Sequence, residues 1–119
     1  MRIAISSRGE TLDAELDERF GRAAYFIIFD TEKGDSSSIA NTQNLELAQG
    51  AGIQSARTVI NAGAGALVTG NVGPKAFRTL NAAGIEIYLA GSGTVKEAIE
   101  AFQAGRLKKV DGANVEGHW

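Results

Sequence analysis

The chain has no cysteine, one histidine (His118) and one proline (Pro74) among its 119 residues. Without cysteine there is neither a disulfide framework nor a thiolate for a metal. A single histidine excludes a closed zinc site of histidine and cysteine ligands. A Ser/His/Asp triad would have to recruit His118 from the far end of the chain. An excess of either charge is missing too: 12 Lys and Arg against 14 Asp and Glu leave a net charge of −2, whereas a general nucleic-acid binder carries a basic surplus. No apolar run is long enough to span a bilayer, and the opening Met1–Ser6 is too short for the apolar region of a signal peptide. The expectation is a cytoplasmic protein, one domain in size, with no membrane contact and no nucleic-acid partner.

Glycine, by contrast, is plentiful, and it falls at recurring places. Ala66-Leu67-Val68-Thr69 is a short apolar run of the kind buried on both faces of a parallel sheet. Gly70-Asn71-Val72-Gly73 follows, and Pro74 suits the first position of a helix. One unit later Ile85–Ala90 reads as a strand, followed by Gly91-Ser92-Gly93 and a helix opening at Thr94. Two strand–glycine–helix units in succession imply parallel strands with right-handed crossovers, so both turns should lie on one sheet edge. Helix starts there would present open amides and the positive end of a dipole, a natural cradle for an anion.

Arg2–Ser6, with Ile3 and Ile5, reads as the first strand, and Ala24–Asp30 as the most hydrophobic one. Ser7 to Arg22 is polar, with Leu12, Leu16 and Phe20 four apart, and reads as a long loop with a turn of helix across Glu15 to Phe20. Glu32-Lys33-Gly34-Asp35 signals a hairpin, and Ser36 to Thr42 a weak edge strand. After the polar stretch Gln43 to Gln49, a helix introduced by Gly50-Ala51-Gly52 buries Ile53, Ala56, Val59 and Ile60 and ends at Gly63. A second helix runs from Pro74 to Gly84. A third opens with the capping box Thr94/Glu97 and ends before Gly105. This predicts an α/β fold with a mixed five-stranded sheet in the order 3-2-1-4-5, strand 2 antiparallel to the rest, and three main helices. Residues 1–107 form the domain, and 108–119 a loosely held tail.

Several chemistries lack their residues. The run Gly70 to Lys75 has the wrong spacing for a P-loop, and the first strand leads into Ser6-Ser7-Arg8-Gly9 rather than three spaced glycines. The strand order resembles ribonuclease-H-like folds, but Ser6, Ser7 and Thr69 stand at the strand ends where two-metal cleavage needs acids. What remains is a binding edge: Ser6-Ser7-Arg8, Gly70 to Gly73, Gly91 to Gly93 and the Gly50-Ala51-Gly52 turn.

The segments Glu18–Phe26, Asn41, Gly50–Ala56, Gly70–Phe77 and Gly84–Tyr88 are similar to the dinitrogenase iron–molybdenum cofactor biosynthesis domain. The resemblance covers about residues 1 to 107 and implies a ribonuclease-H-like, three-layer fold. It further implies a non-enzymatic role: binding an iron–sulfur or iron–molybdenum cluster and passing it on, or sensing it, between donor and acceptor proteins. Such clusters are anionic, so Ser7, Arg8, Arg19, Arg22, Gly50, Gly52, Gly70, Asn71, Gly73, Gly91 and Gly93 become the candidate contacts. The family is thought to use histidine or cysteine as direct ligands, which leaves His118 as the one candidate metal ligand. Arg19 and Arg22 can equally be salt-bridged to Asp17 or Glu18, and Phe20 and Tyr25 read as core. Two other readings stand beside this one: a pocket for a small anionic metabolite or nucleotide phosphate on the same edge, and an interaction module that pairs through Ser36 to Thr42, in a chain that is a monomer or weak homodimer.

Overall fold

The computed structural model describes residues 1–42 and 50–113; the Gln43 to Gln49 stretch and His118 lie outside the described residues. Strand β1 (Arg2–Ser7) is buried from Ile3 onward, as is all of β4 (Ala66–Thr69). These two pair in parallel at the centre of the sheet. Strand β2 (Tyr25–Asp30) runs antiparallel to β1, and β3 (Ser36–Ala40) antiparallel to β2. On the other side β5 (Glu86–Leu89) is parallel to β4. The order β3-β2-β1-β4-β5 is the one the strand–helix pattern predicts.

The count of five strands needs correction. A sixth, β6 (Lys108–Lys109), pairs antiparallel with β5, at the start of the stretch expected to be a loose tail. Two charged residues give no strand signal by themselves. Their neighbours hold them there: Leu107 and Val110 pack on opposite faces of the sheet, and the Val110 amide donates to the Ile87 carbonyl at 2.9 Å. Lys109 adds an ion pair to Glu86 at 3.1 Å.

Helices α1 (Ala51–Asn61) and α2 (Pro74–Ala82) cover one face, where Ala56, Val59, Ala76 and Leu80 meet Ala4, Phe26, Ile28, Leu67 and Ile87. Helix α3 (Val95–Gln103) covers the other, setting Val95, Ala98 and Ile99 against Ile3, Ile5, Ile27, Ala66 and Val68. The period-2 alternation of the strands thus feeds two separate apolar layers. Each helix ends just before a glycine of positive φ: Gly63, Gly84 and Gly105.

The turn of helix expected across Glu15 to Phe20 is not formed. Glu15 and Leu16 are extended and bridge to Thr94 and Ser7, and the helical turn is a 3-10 turn at Phe20–Arg22. Leu12, Ala14 and Leu16 alternate with Asp13 and Glu15. That two-residue period is the pattern of an extended, half-buried segment.

Candidate functional site

The parallel strands β1, β4 and β5 bring Ser7, Thr69 and Leu89 to one end of the sheet, with Ala40 of β3 beside them. All three helices start at this end, so the glycine turns do share an edge. Among the described residues they are divided between the two faces of the sheet, α1 and α2 on one and α3 on the other. Residues 12–19 form a strap that crosses the edge from the α3 face to the α1–α2 face.

Backbone hydrogen bonds fix the strap along its whole length. On the α3 side Lys96 and Val95 donate to the Leu12 and Ala14 carbonyls, both at 2.9 Å, and Leu16 donates to Gly93 at 2.9 Å. Over the sheet, Arg8 donates to the Glu15 carbonyl at 3.0 Å and Asp17 to Ser6 at 2.9 Å. The Ser6 hydroxyl donates to the Asp17 carbonyl at 2.6 Å and lies 2.7 Å from the Thr69 hydroxyl. On the far side Phe20 donates to the Asn71 carbonyl at 3.2 Å. The strap therefore lies like a lid across the ends of β1 and β4. Gly70 is the point of closest approach: a Cβ there would sit 2.6 Å from Glu18 Cβ, 2.7 Å from Glu18 Cα and 2.8 Å from the Glu18 carbonyl oxygen.

The start of α3 is not the open cradle its sequence suggests. The Thr94 amide donates to Glu97 Oε1 at 2.8 Å, and the Glu97 amide to Thr94 Oγ1 at 3.1 Å, closing the capping box. Val95 and Lys96 serve the strap. All four first-turn donors are thereby satisfied from within the chain. The Thr94 amide, with help from its hydroxyl, holds the Glu97 carboxyl below the ordinary glutamate range. The Gly91-Ser92-Gly93 turn lines shallow hollows instead; one of about 260 Å³ joins Arg8 to Gly93 but also holds Glu15 and Glu18. Arg8 is there ion-paired with Glu15 at 3.4 Å. A hollow with two carboxylates in its wall is a poor anion site.

The α1 and α2 starts differ. Both are capped by glycine, Gly50 and Gly73, with no side-chain cap and no acidic residue in the first turn. They lie side by side on one face, because α1 and α2 run in the same direction and pack together. The 3-10 turn carrying Arg22 packs against α1, and Arg19 is bridged to Asn71 just ahead of α2. Asp17, buried at 4%, aims Arg19: one carboxylate oxygen accepts from the Arg19 amide at 3.0 Å and lies 3.6 Å from its Nε, leaving the side chain 58% exposed. Ser7 is buried, and its hydroxyl donates to the Gly9 carbonyl. The structure therefore groups Arg19, Arg22, Gly50, Gly52, Gly70, Asn71 and Gly73 on one face, and sets Arg8, Gly91 and Gly93 apart on the other.

Phe20, with no exposure, sets its ring 5.4 Å from that of Phe26 at a tilt of 50° and belongs to the core. Sequence reasoning gave no role to Asn41 beyond a family position. Its buried amide donates to the Ala23 carbonyl at 2.8 Å and to the Ser55 hydroxyl at 2.9 Å, clamping the end of β3 to α1 and to the strand leading into β2. Among the described residues no group of three His, Asp or Glu side chains could hold a metal ion. No described helix is long and apolar enough to cross a membrane.

Known proteins share this fold. The chain is 33% identical over 99 residues to an uncharacterized protein of Methanocaldococcus jannaschii, covering 81% of this chain and 83% of that one. It superimposes on the apo form of the orange protein from Desulfovibrio gigas with a TM-score of 0.91 and 41% identity, over 96% of each chain. A NifB-like protein from Thermotoga gives a TM-score of 0.80 at 38% identity, over 98% of each chain. The sequence model for the dinitrogenase iron-molybdenum cofactor family matches residues 1–105. This chain belongs to the dinitrogenase iron-molybdenum cofactor family.

Proposed function

We propose that this chain is a non-enzymatic carrier that binds an iron–sulfur or iron–molybdenum cluster at the α1–α2 end of the edge and passes it from a donor protein to an acceptor. The observation that carries the reading is the convergence of two glycine-capped helix starts with Arg19 and Arg22. Helix N-termini attract negative charge, and arginine forks add directed hydrogen bonds to it. With no cysteine in the chain and no metal-holding cluster among the described residues, the hold is by charge and hydrogen bonds rather than by a full ligand set. His118 remains the one candidate direct ligand by composition. A loosely ligated cargo suits transfer, since few bonds have to break. Two features of relatives support this choice of anion: the family is described by the iron-molybdenum cofactor, and the orange protein was solved as an apo form.

The test is anaerobic mixing of apo-protein with a cluster donor, followed by gel filtration and metal analysis. A coloured, air-sensitive species co-eluting with the protein is expected, lost in an Arg19→Ala/Arg22→Ala variant. No spectral change and no retained metal rejects the reading. A pocket for phosphorylated metabolites would show itself differently, by raising the melting temperature when such compounds are added.

A further inference from the structure

Among the described residues β3 and β6 are the edge strands of the sheet, and they are protected unequally. β6 is two residues long and both are lysine, a combination that discourages strand addition. β3 has five residues, Ser36-Ser37-Ser38-Ile39-Ala40, with no charge and no proline. Its inner side is bonded to β2: Asn41 donates to the Ala24 carbonyl and Asp30 to that of Asp35, which marks the odd-numbered residues as the bonded set. Ser36, Ser38 and Ala40 therefore turn their amides and carbonyls outward, and among the described residues nothing pairs with them.

We propose that β3 is a self-complementary edge through which two copies of this chain pair antiparallel and join their sheets. A twofold axis at Ser38 sets Ser38 opposite the partner's Ser38 and Ser36 opposite the partner's Ala40. Every outward N–H then meets an outward C=O. The side chains of the outward set are small and exposed, so the edges approach without a clash. Charge allows the register as well. The nearest charged residue, Asp35, falls opposite the partner's Asn41, so no like charges meet across the seam. On the α1 face the pairing brings the partner's Ile39 opposite Ser37. There it lies over a groove of about 590 Å³ in which Ile28 and Ile39 are flanked by Asn61 and Ala62 of the α1 end and by the charged Arg2, Asp30, Lys33 and Asp35. The occupant we assign is a second copy, because in this register the strand meets itself with every outward N–H facing a C=O and no like charges opposed.

A seam of five residues per chain buries less than a standard stable interface, so the dimer should form between about 10 μM and about 1 mM. Sedimentation equilibrium on the cluster-free protein over that range tests it, with an average mass expected to climb from 12.5 kDa toward twice that value. Ser38→Lys places two ammonium groups together at the axis, and Ser38→Pro removes the central outward N–H. Neither touches a β2 hydrogen bond, so both should melt like the parent while staying monomeric. A parent that is monomeric at about 1 mM, or variants that dimerise as it does, overturns the proposal. Because no cluster is present in the experiment, its outcome is separate from that of the carrier reading.

Discussion

Gly70→Ala is the sharpest probe of the strap. The added Cβ would meet Glu18 Cβ, Cα and carbonyl oxygen at 2.6 to 2.8 Å, distances real Cβ atoms do not tolerate. Backbone atoms cannot swing aside as a side-chain tip can. Either the strap lifts, breaking the Asp17–Ser6 and Phe20–Asn71 hydrogen bonds, or the turn into α2 shifts against it. Overpacking of this kind costs about 2 kcal/mol. At about 2.1 cal/mol/K per residue, a chain of 119 residues has an unfolding entropy of about 250 cal/mol/K. The melting temperature should then fall by about 8 °C in scanning calorimetry. Gly91→Ala is the control, since a Cβ there meets nothing within 4 Å, and its melt should match the parent. Because the strap carries Arg19, the Gly70 variant should also retain less cluster. A Gly70→Ala melt within about 2 °C of the parent would refute the account of the strap as a close-packed lid.

Asn41→Ala leaves the Ala23 carbonyl and the Ser55 hydroxyl buried without their partner, and should cost about 2 kcal/mol in denaturant unfolding. The Glu97 carboxyl is held low by the Thr94 amide, so its contribution is present above the ordinary glutamate pKa of about 4.3 and is lost as the pH falls through the lower folded value. Glu97→Gln keeps the capping geometry and should show a shallower loss of stability in that acid range than the parent, measured by thermal melts at stepped pH. Asp17→Asn keeps an oxygen acceptor for the Arg19 amide but removes the carboxylate charge that holds its Nε. Cluster retention should fall more than stability does, and the fall should grow with added salt as the remaining attraction is screened.

Much of the fold was written locally. The apolar runs Ile3–Ile5 and Ala66–Val68, the hairpin signal at Glu32–Asp35, the Thr94/Glu97 box and the glycines after each helix all rest on contacts between near neighbours in the chain. The strap was misread because Leu12, Leu16 and Phe20 fit a four-residue spacing as well as a two-residue one. What decides between them is the row of partners on Ser7, Thr94 and Asn71, distant in the chain. β6 was missed for the same reason: Lys108 and Lys109 become a strand by lying against β5, not by any preference of their own.

The sequence by itself determined five of the six strands, the three main helices and their order, because hydrophobic period and turn chemistry act within a few residues. It also determined, through the lack of cysteine, that these 119 residues offer no thiolate of their own. The tertiary structure alone decided that the α3 start is not an open cradle. A backbone amide is available only if no other part of the chain has come to bond it, and at α3 the strap and Glu97 have done so.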